Sequence, residues 1–84
     1  MRRYRCRHDI IAAILGKAIE GPSKISHLAQ AANLPLDRAR PLVEDLVRRG
    51  LLIYNPATRS YEATELGYEW LAIYEKLREV YDVL

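Results

Sequence analysis

A single cysteine, Cys6, supplies all the thiol chemistry of this 84-residue sequence. One thiol cannot close an internal disulfide, and it is compatible with a reducing compartment. No role is read for it. The two histidines, His8 and His27, do not join Cys6 in a metal-ligand spacing. Glycine-rich phosphate loops and nucleophile motifs are also missing, so the chain is not expected to be an enzyme or to hold a cofactor or metal. His27, on what reads as a first helical turn, is a solvated residue and not a catalytic one. No apolar run approaches about 20 residues, the length a membrane-spanning helix needs. Nor does a signal-peptide pattern open the chain, and the expectation is a soluble, cytoplasmic protein. No aromatic platform for stacking unpaired bases is evident, which makes RNA a weak reading. No small-molecule pocket can be argued from these residues either.

What is present is mixed charge and clear apolar periodicity. Hydrophobic residues make up 50% of the chain and charged residues 29%, which places it among ordinary globular domains. A chain this short buries only about 60% of its unfolded surface, so a second protomer is a natural way to gain core. The formal net charge of +2 hides an asymmetry. Residues 1–60 carry 11 Lys/Arg against 5 Asp/Glu, whereas residues 61–84 carry 2 against 6. A basic body with an acidic tail suggests that the body meets a polyanion and the tail does not.

The most informative stretch is residues 25–64. Residues 25–34 read as a short helix, with Ser26 placed to cap its start and Asn33 suited to the left-handed conformation at its end. Pro35 bars the helix from resuming at once. A second helical pattern follows, with Leu36, Ala39, Leu42, Val43, Leu46 and Val47 at spacings of three and four, stopping at Gly50. Two short apolar segments, residues 51–54 and 60–63, then flank the turn-rich residues 55–59, which is a hairpin signal. Two helices joined by a tight turn and followed by a hairpin predict a winged helix-turn-helix. In that fold the second helix commonly enters a DNA major groove.

The exposed stripe of that second helix presents Asp37, Pro41, Glu44, Asp45 and Arg48, with Arg38 and Arg40 on its flanks. Phosphates repel the three carboxylates, although Asp or Glu can accept from a cytosine amino group. With Asp37 as the helix cap, Pro41 falls near the end of the first turn at small cost; this is preferred to a kinked helix beginning at Pro35. Shallow docking led by Arg38 and Arg40, with Arg48 and the wing residues Thr58, Arg59 and Ser60, fits better than deep base reading. Lys24 joins this set if residues 23–25 form a third strand that points it outward. Arg2, Arg3, Arg5 and Arg7 surround Tyr4 in an arm that either lies along phosphates or enters a minor groove, or is a frayed terminus kept soluble by charge; Arg2, Arg3 and Arg5 are its candidate contacts.

On either side of the motif lie two further helices. Asp9 favours a helix start, and the rows Ile10, Ile14, Ala18 and Ile11, Leu15, Ile19 give a broad apolar face that ends at Gly21 and Pro22. Thr64 is a good cap for the last helix, and Gly67 allows close approach to the hairpin. Leu66, Trp70, Ile73, Leu77, Val80 and Leu84 then form a heptad seam, widened by Leu71, Tyr74 and Tyr81. At 1.5 Å per residue, residues 65–84 span about 30 Å, more than the small body covers. The first half, with Trp70, is expected on the body. The second half either folds back or takes a partner, and heptad seams favour the partner. Tyr74, Leu77, Val80, Tyr81 and Leu84 are the expected dimerisation residues. The expected organisation is thus a body of residues 1–64 and a helix of residues 65–84 in one structural domain: mainly α with a small β-hairpin, in the order α-β-α-α-β-β plus a long C-terminal helix.

Three runs carry a family resemblance: Ile25-Ser26-His27-Leu28-Ala29-Gln30-Ala31-Ala32-Asn33-Leu34, Leu46-Val47-Arg48-Arg49-Gly50-Leu51-Leu52 and Tyr61-Glu62-Ala63-Thr64-Glu65-Leu66-Gly67. With the order of elements, the chain resembles the small archaeal winged-helix DNA-binding proteins, including chromatin-associated members that dimerise through a C-terminal antiparallel coiled coil. The resemblance covers nearly the whole chain. It implies a dimeric, sequence-tolerant binder of double-stranded DNA or a transcription regulator, nucleoid-associated in an organism without a nucleus. Asp37 and Pro41 depart from the basic or polar start of the family's second motif helix, so the carried-over role fits Arg38 and Arg40 better than their neighbours. Antiparallel pairing follows only from the resemblance; the seam leaves its direction open. The alternative is a winged-helix protein-interaction module with no nucleic-acid partner, for which the carboxylates of the second motif helix are the best support.

Overall fold

A computed structural model of the protein describes residues 7–82, with side chains described as far as residue 80. Four helices and one hairpin follow in the order α1 (Arg7–Ile19), α2 (Ile25–Ala31), α3 (Leu36–Arg48), β1 (Leu52–Asn55), β2 (Ser60–Ala63) and α4 (Glu65–Asp82). The molecule is thus mainly helical, with a two-stranded antiparallel sheet, as the periodicity predicted.

The core forms where the apolar faces of the helices converge. Ile11, Ile14, Leu15 and Ala18 of α1 meet Leu28 of α2, Val43 and Leu46 of α3, and Leu51 and Leu52 at the hairpin. Ile14, Leu15, Leu28 and Val43 are wholly inaccessible to solvent. Burial of an aliphatic side chain of this size contributes about 1.5–3 kcal/mol, so these four alone outweigh any surface contact. Leu36 begins the apolar row of α3 at the helix entry and stays 41% exposed.

Both helices of the central motif stop by the same backbone device. At the end of α2, Asn33 takes φ 56°, its N–H donates to the Gln30 carbonyl, and the Leu34 N–H reaches back to Ala29. At the end of α3, Gly50 takes φ 84°, its N–H donates to Val47, and the Leu51 N–H reaches back to Leu46. This pair of bonds is the Schellman motif, which satisfies carbonyls that the last turn leaves open.

The helix starts differ from expectation. Ser26 does not cap α2: the helix begins one residue earlier, and Lys24, in extended conformation, offers its carbonyl to the N–H groups of His27 and Leu28. Asp37 does not cap α3 either. Pro35 is the residue before that helix, its carbonyl accepting from Arg38 and Ala39 at 3.0 Å each, and Asp37 lies inside the first turn. A carboxylate there still complements the positive end of the helix. Pro41 is consequently in the helix interior. It removes the bond to the Asp37 carbonyl, but both residues are exposed, so water can serve that carbonyl.

The expected third strand contracts to a single bridge. Ser23 exchanges both backbone bonds with Tyr61, at 3.0 and 2.8 Å, and then α2 begins. In the hairpin Leu52 pairs with Ala63, Ile53 with Glu62, Tyr54 with Tyr61 and Asn55 with Ser60, one residue later on the first strand than the apolar run suggested. The Tyr54 and Tyr61 rings pack across the strands with centroids 4.8 Å apart.

Thr64 joins the hairpin to α4 as the sequence led us to expect. Its hydroxyl accepts from the Gly67 N–H at 3.1 Å and donates to the Gly50 carbonyl at 2.5 Å. A Cβ on Gly67 would lie 2.4 Å from the Leu51 carbonyl oxygen, so only glycine lets α4 start against the backbone here. Farther along, Trp70 stacks on Tyr74 with an interplanar angle of 9°, His8 lies over Trp70, and the Tyr74 hydroxyl donates to Asp9. These contacts hold the middle of α4 on α1. Beside and beyond them, Ile73, Leu77 and Val80 are 62%, 65% and 66% exposed and form one apolar stripe.

Candidate nucleic-acid interface

The solvent side of α3 divides into two stripes. Arg40 and Glu44 face the hairpin, near enough to Tyr61 for both charges to act on its hydroxyl. Burial raises the Tyr61 pKa first of all, with Tyr54 and Glu44 adding to it and Arg40 opposing. The other stripe turns toward α1. Arg38, Arg48 and Arg49 line a groove there that Arg7 closes from the α1 side.

Asp45 changes the electrostatics of this surface. Its Oδ1 accepts from Arg48 Nη2 and its Oδ2 from Arg49 Nε, each at 2.9 Å. The two guanidinium hydrogen bonds, Arg49 first, lower its pKa and hold it ionised. One of the three carboxylates that weighed against DNA is therefore taken up within the protein. Exposed pairs of this kind contribute little stability, but they fix where the two arginines point. Each guanidinium has five N–H donors, so most of them remain for an external anion. Arg7, Arg38, Arg40 and Arg59 make no ion pair among the described residues.

The wing carries Arg59 at its tip with φ 54°, held in a turn where Asn55 Oδ1 accepts from the Ala57 N–H at 2.9 Å. Thr58 is exposed, but Ser60 is not: it is 5% accessible and its hydroxyl pairs with that of Thr58 at 2.6 Å. Ser60 thus holds the turn and presents no hydroxyl outward. Lys24 is exposed beside the Ser23–Tyr61 bridge. Arg2, Arg3 and Arg5 lie outside the described residues, as do Leu84 and the side chain of Tyr81. Of the expected dimerisation residues, Leu77 and Val80 are on the open stripe, whereas Tyr74 is half-buried against α1 of its own chain.

Sequence reasoning missed Arg49 as a member of this cationic surface, and it read Arg7 as part of the amino-terminal arm without foreseeing its place beside α3. Arg49 had a signal in its i,i+4 spacing from Asp45. For Arg7 none existed, because its neighbours on α3 are more than 30 residues away. Gln30 and Asn33 share a depression at the α2–α3 turn with Ser26 and Leu36. Among the described residues no group of three His, Cys, Asp or Glu side chains is placed to hold a metal, and no helix is long and apolar enough to cross a membrane.

Two helices ended by Schellman turns, a wing behind them and a third strand reduced to a bridge are the parts of one fold. Residues 4–82 match the winged helix-turn-helix family along almost their whole length. The chain belongs to that family. No curated protein matches it. The winged helix-turn-helix is a fold commonly used to bind nucleic acid, with the helix in the position of α3 and the wing as its contact elements.

Proposed function

We propose that this winged-helix protein binds double-stranded DNA as a homodimer, mainly through phosphates, as a transcription regulator or chromatin-associated protein. The observation that carries the reading is the cationic surface of α3 and the wing. Arg38, Arg40 and Arg59 are exposed and unpaired among the described residues, and the Asp45 charge is held by Arg48 and Arg49. Lys24 and Thr58 are exposed as well, and the arginines of the amino-terminal arm add positive charge to the chain. Asp37 and Glu44 keep negative charge on the helix, which favours shallow docking with sequence-tolerant contacts. The open stripe of Ile73, Leu77 and Val80 is the surface for the second copy. Three large aliphatics in a row at heptad spacing gain most from an identical partner, whose own stripe would otherwise face water. The resemblance to small archaeal winged-helix proteins supports this assembly and a place in the nucleoid.

Fluorescence anisotropy of a labelled duplex across a salt series tests the reading. The logarithm of the binding constant falls with the logarithm of salt at about −0.9 per phosphate contact. Joint replacement of Arg38, Arg40 and Arg59 by Ala lowers affinity on random and genomic fragments alike and flattens that slope by about three contacts. A flat salt response, or no binding at low salt, overturns it.

A further inference from the structure

The groove between α1 and α3 is the second feature of the cationic surface, and the family fold gives it no role. Its volume is about 620 Å³, within the range of small-ligand sites. Arg7 stands on one wall and Arg38, Arg48 and Arg49 on the other. Ile10, Leu34 and Leu42, each half-buried and packed on the core, lie between them. Among the described residues Asp45 is the only acidic one in the lining, and both its oxygens accept from Arg48 and Arg49. The result is a concavity with a surplus of guanidinium donors around an aliphatic floor.

We propose that this groove binds a small organic phosphate of the nucleotide type. Guanidinium groups match phosphate oxygens with paired N–H donors, and their planes also stack on flat rings. Four of them around one groove satisfy a ligand with several negative charges. The aliphatic floor selects among such anions. A phosphodiester backbone gains nothing from Ile10, Leu34 and Leu42, whereas a base or other flat apolar body is desolvated on them. Position argues the same way. The wing lies on the Arg40–Glu44 side of α3, so a duplex held by α3 and wing leaves Arg7 and Arg49 behind it. Arg38 and Arg48 belong to both surfaces, and a bound nucleotide therefore competes with DNA for them. That competition rests on the DNA-binding reading; the nucleotide site itself does not.

Calorimetric titration of the full chain with ATP, and separately with inorganic pyrophosphate, tests the site. ATP is expected to saturate at one per chain, with pyrophosphate about tenfold weaker because it lacks a body for the floor. The R7A variant changes one exposed side chain on the α1 wall, away from the α3 and wing contacts proposed for the duplex, and its helical circular dichroism should match the parent. It should weaken ATP about tenfold and a labelled duplex much less. No saturable ATP binding overturns the proposal, as does pyrophosphate binding equal to ATP. Equal losses on ATP and duplex in R7A also overturn it, by assigning the groove to the duplex surface. A chain that takes ATP and ignores duplex at low salt keeps the nucleotide site and removes the DNA-binding reading instead.

Discussion

The two halves of α4 carry the same heptad seam but differ in how much of the helix the body covers. In the first half Gly67 abuts the Leu51 carbonyl, Trp70 stacks on Tyr74, and Tyr74 reaches Asp9 on α1. In the second half Leu77 and Val80 stand in solvent on the continuation of that line. A periodic pattern therefore records that a helix face will be covered without recording by what. In the first half the body covers Gly67, Trp70 and Tyr74 but leaves Leu66 and Ile73 49% and 62% exposed, so the boundary runs around the helix as well as along it. The second half extends past the body, and the long axis of the molecule reaches 45 Å against 28 and 20 Å for the others.

Substitutions on the two sides of this boundary should separate cleanly. The largest effect is expected from Leu77→Glu, which places a charge in the middle of the open stripe. Sedimentation equilibrium should then show a monomer where the parent is a dimer, with little change in the folding of each chain because Leu77 is 65% exposed. A parent that sediments as a monomer at all concentrations would erase the contrast. Next is Trp70→Ala, in the covered half, expected to cost about 2–3 kcal/mol in urea unfolding, below the range for fully buried Trp because Trp70 keeps partial exposure. Gly67→Ala should follow at about 2 kcal/mol, since the new methyl meets backbone that cannot swing away. Smallest is Tyr74→Phe, at about 1 kcal/mol for a hydroxyl hydrogen bond to Asp9. Its thermal midpoint should fall while the dimer persists. Loss of association in Tyr74→Phe would mean that the boundary lies earlier on the helix than the contacts place it.

How much of this could be read from residues alone depends on the range of the interaction. Asn33, Gly50 and Thr64 were legible because a turn is decided by its own few residues. Ser26 and Asp37 were misjudged because α2 and α3 are entered from extended residues, Lys24 and Pro35, whose carbonyls accept the first helical bonds. No side-chain cap was required. The hairpin strands were legible to within one residue, the first running over 52–55 where the apolar run marked 51–54 and the second over 60–63 as expected. The Asp9–Tyr74 bond and the meeting of Arg7 with Arg38 were not, since each joins residues that only the packing of α1 brings together. Ser60 shows the same limit at shorter range. It looked like a wing contact by position, and the strand turns it inward to its neighbour Thr58.

The joint at Thr64 and Gly67 has a further consequence. Thr64 is bonded to Gly50 at the end of α3, and Gly67 sits hard against Leu51 just after it, so the bearing of α4 is referenced directly to the end of α3. In an assembly of two chains built along α4, this short hinge-free corner works as a gauge. It translates the pitch of one rod into the separation and tilt of two contact points on a polymer, and a change of one methyl group there resets the stride.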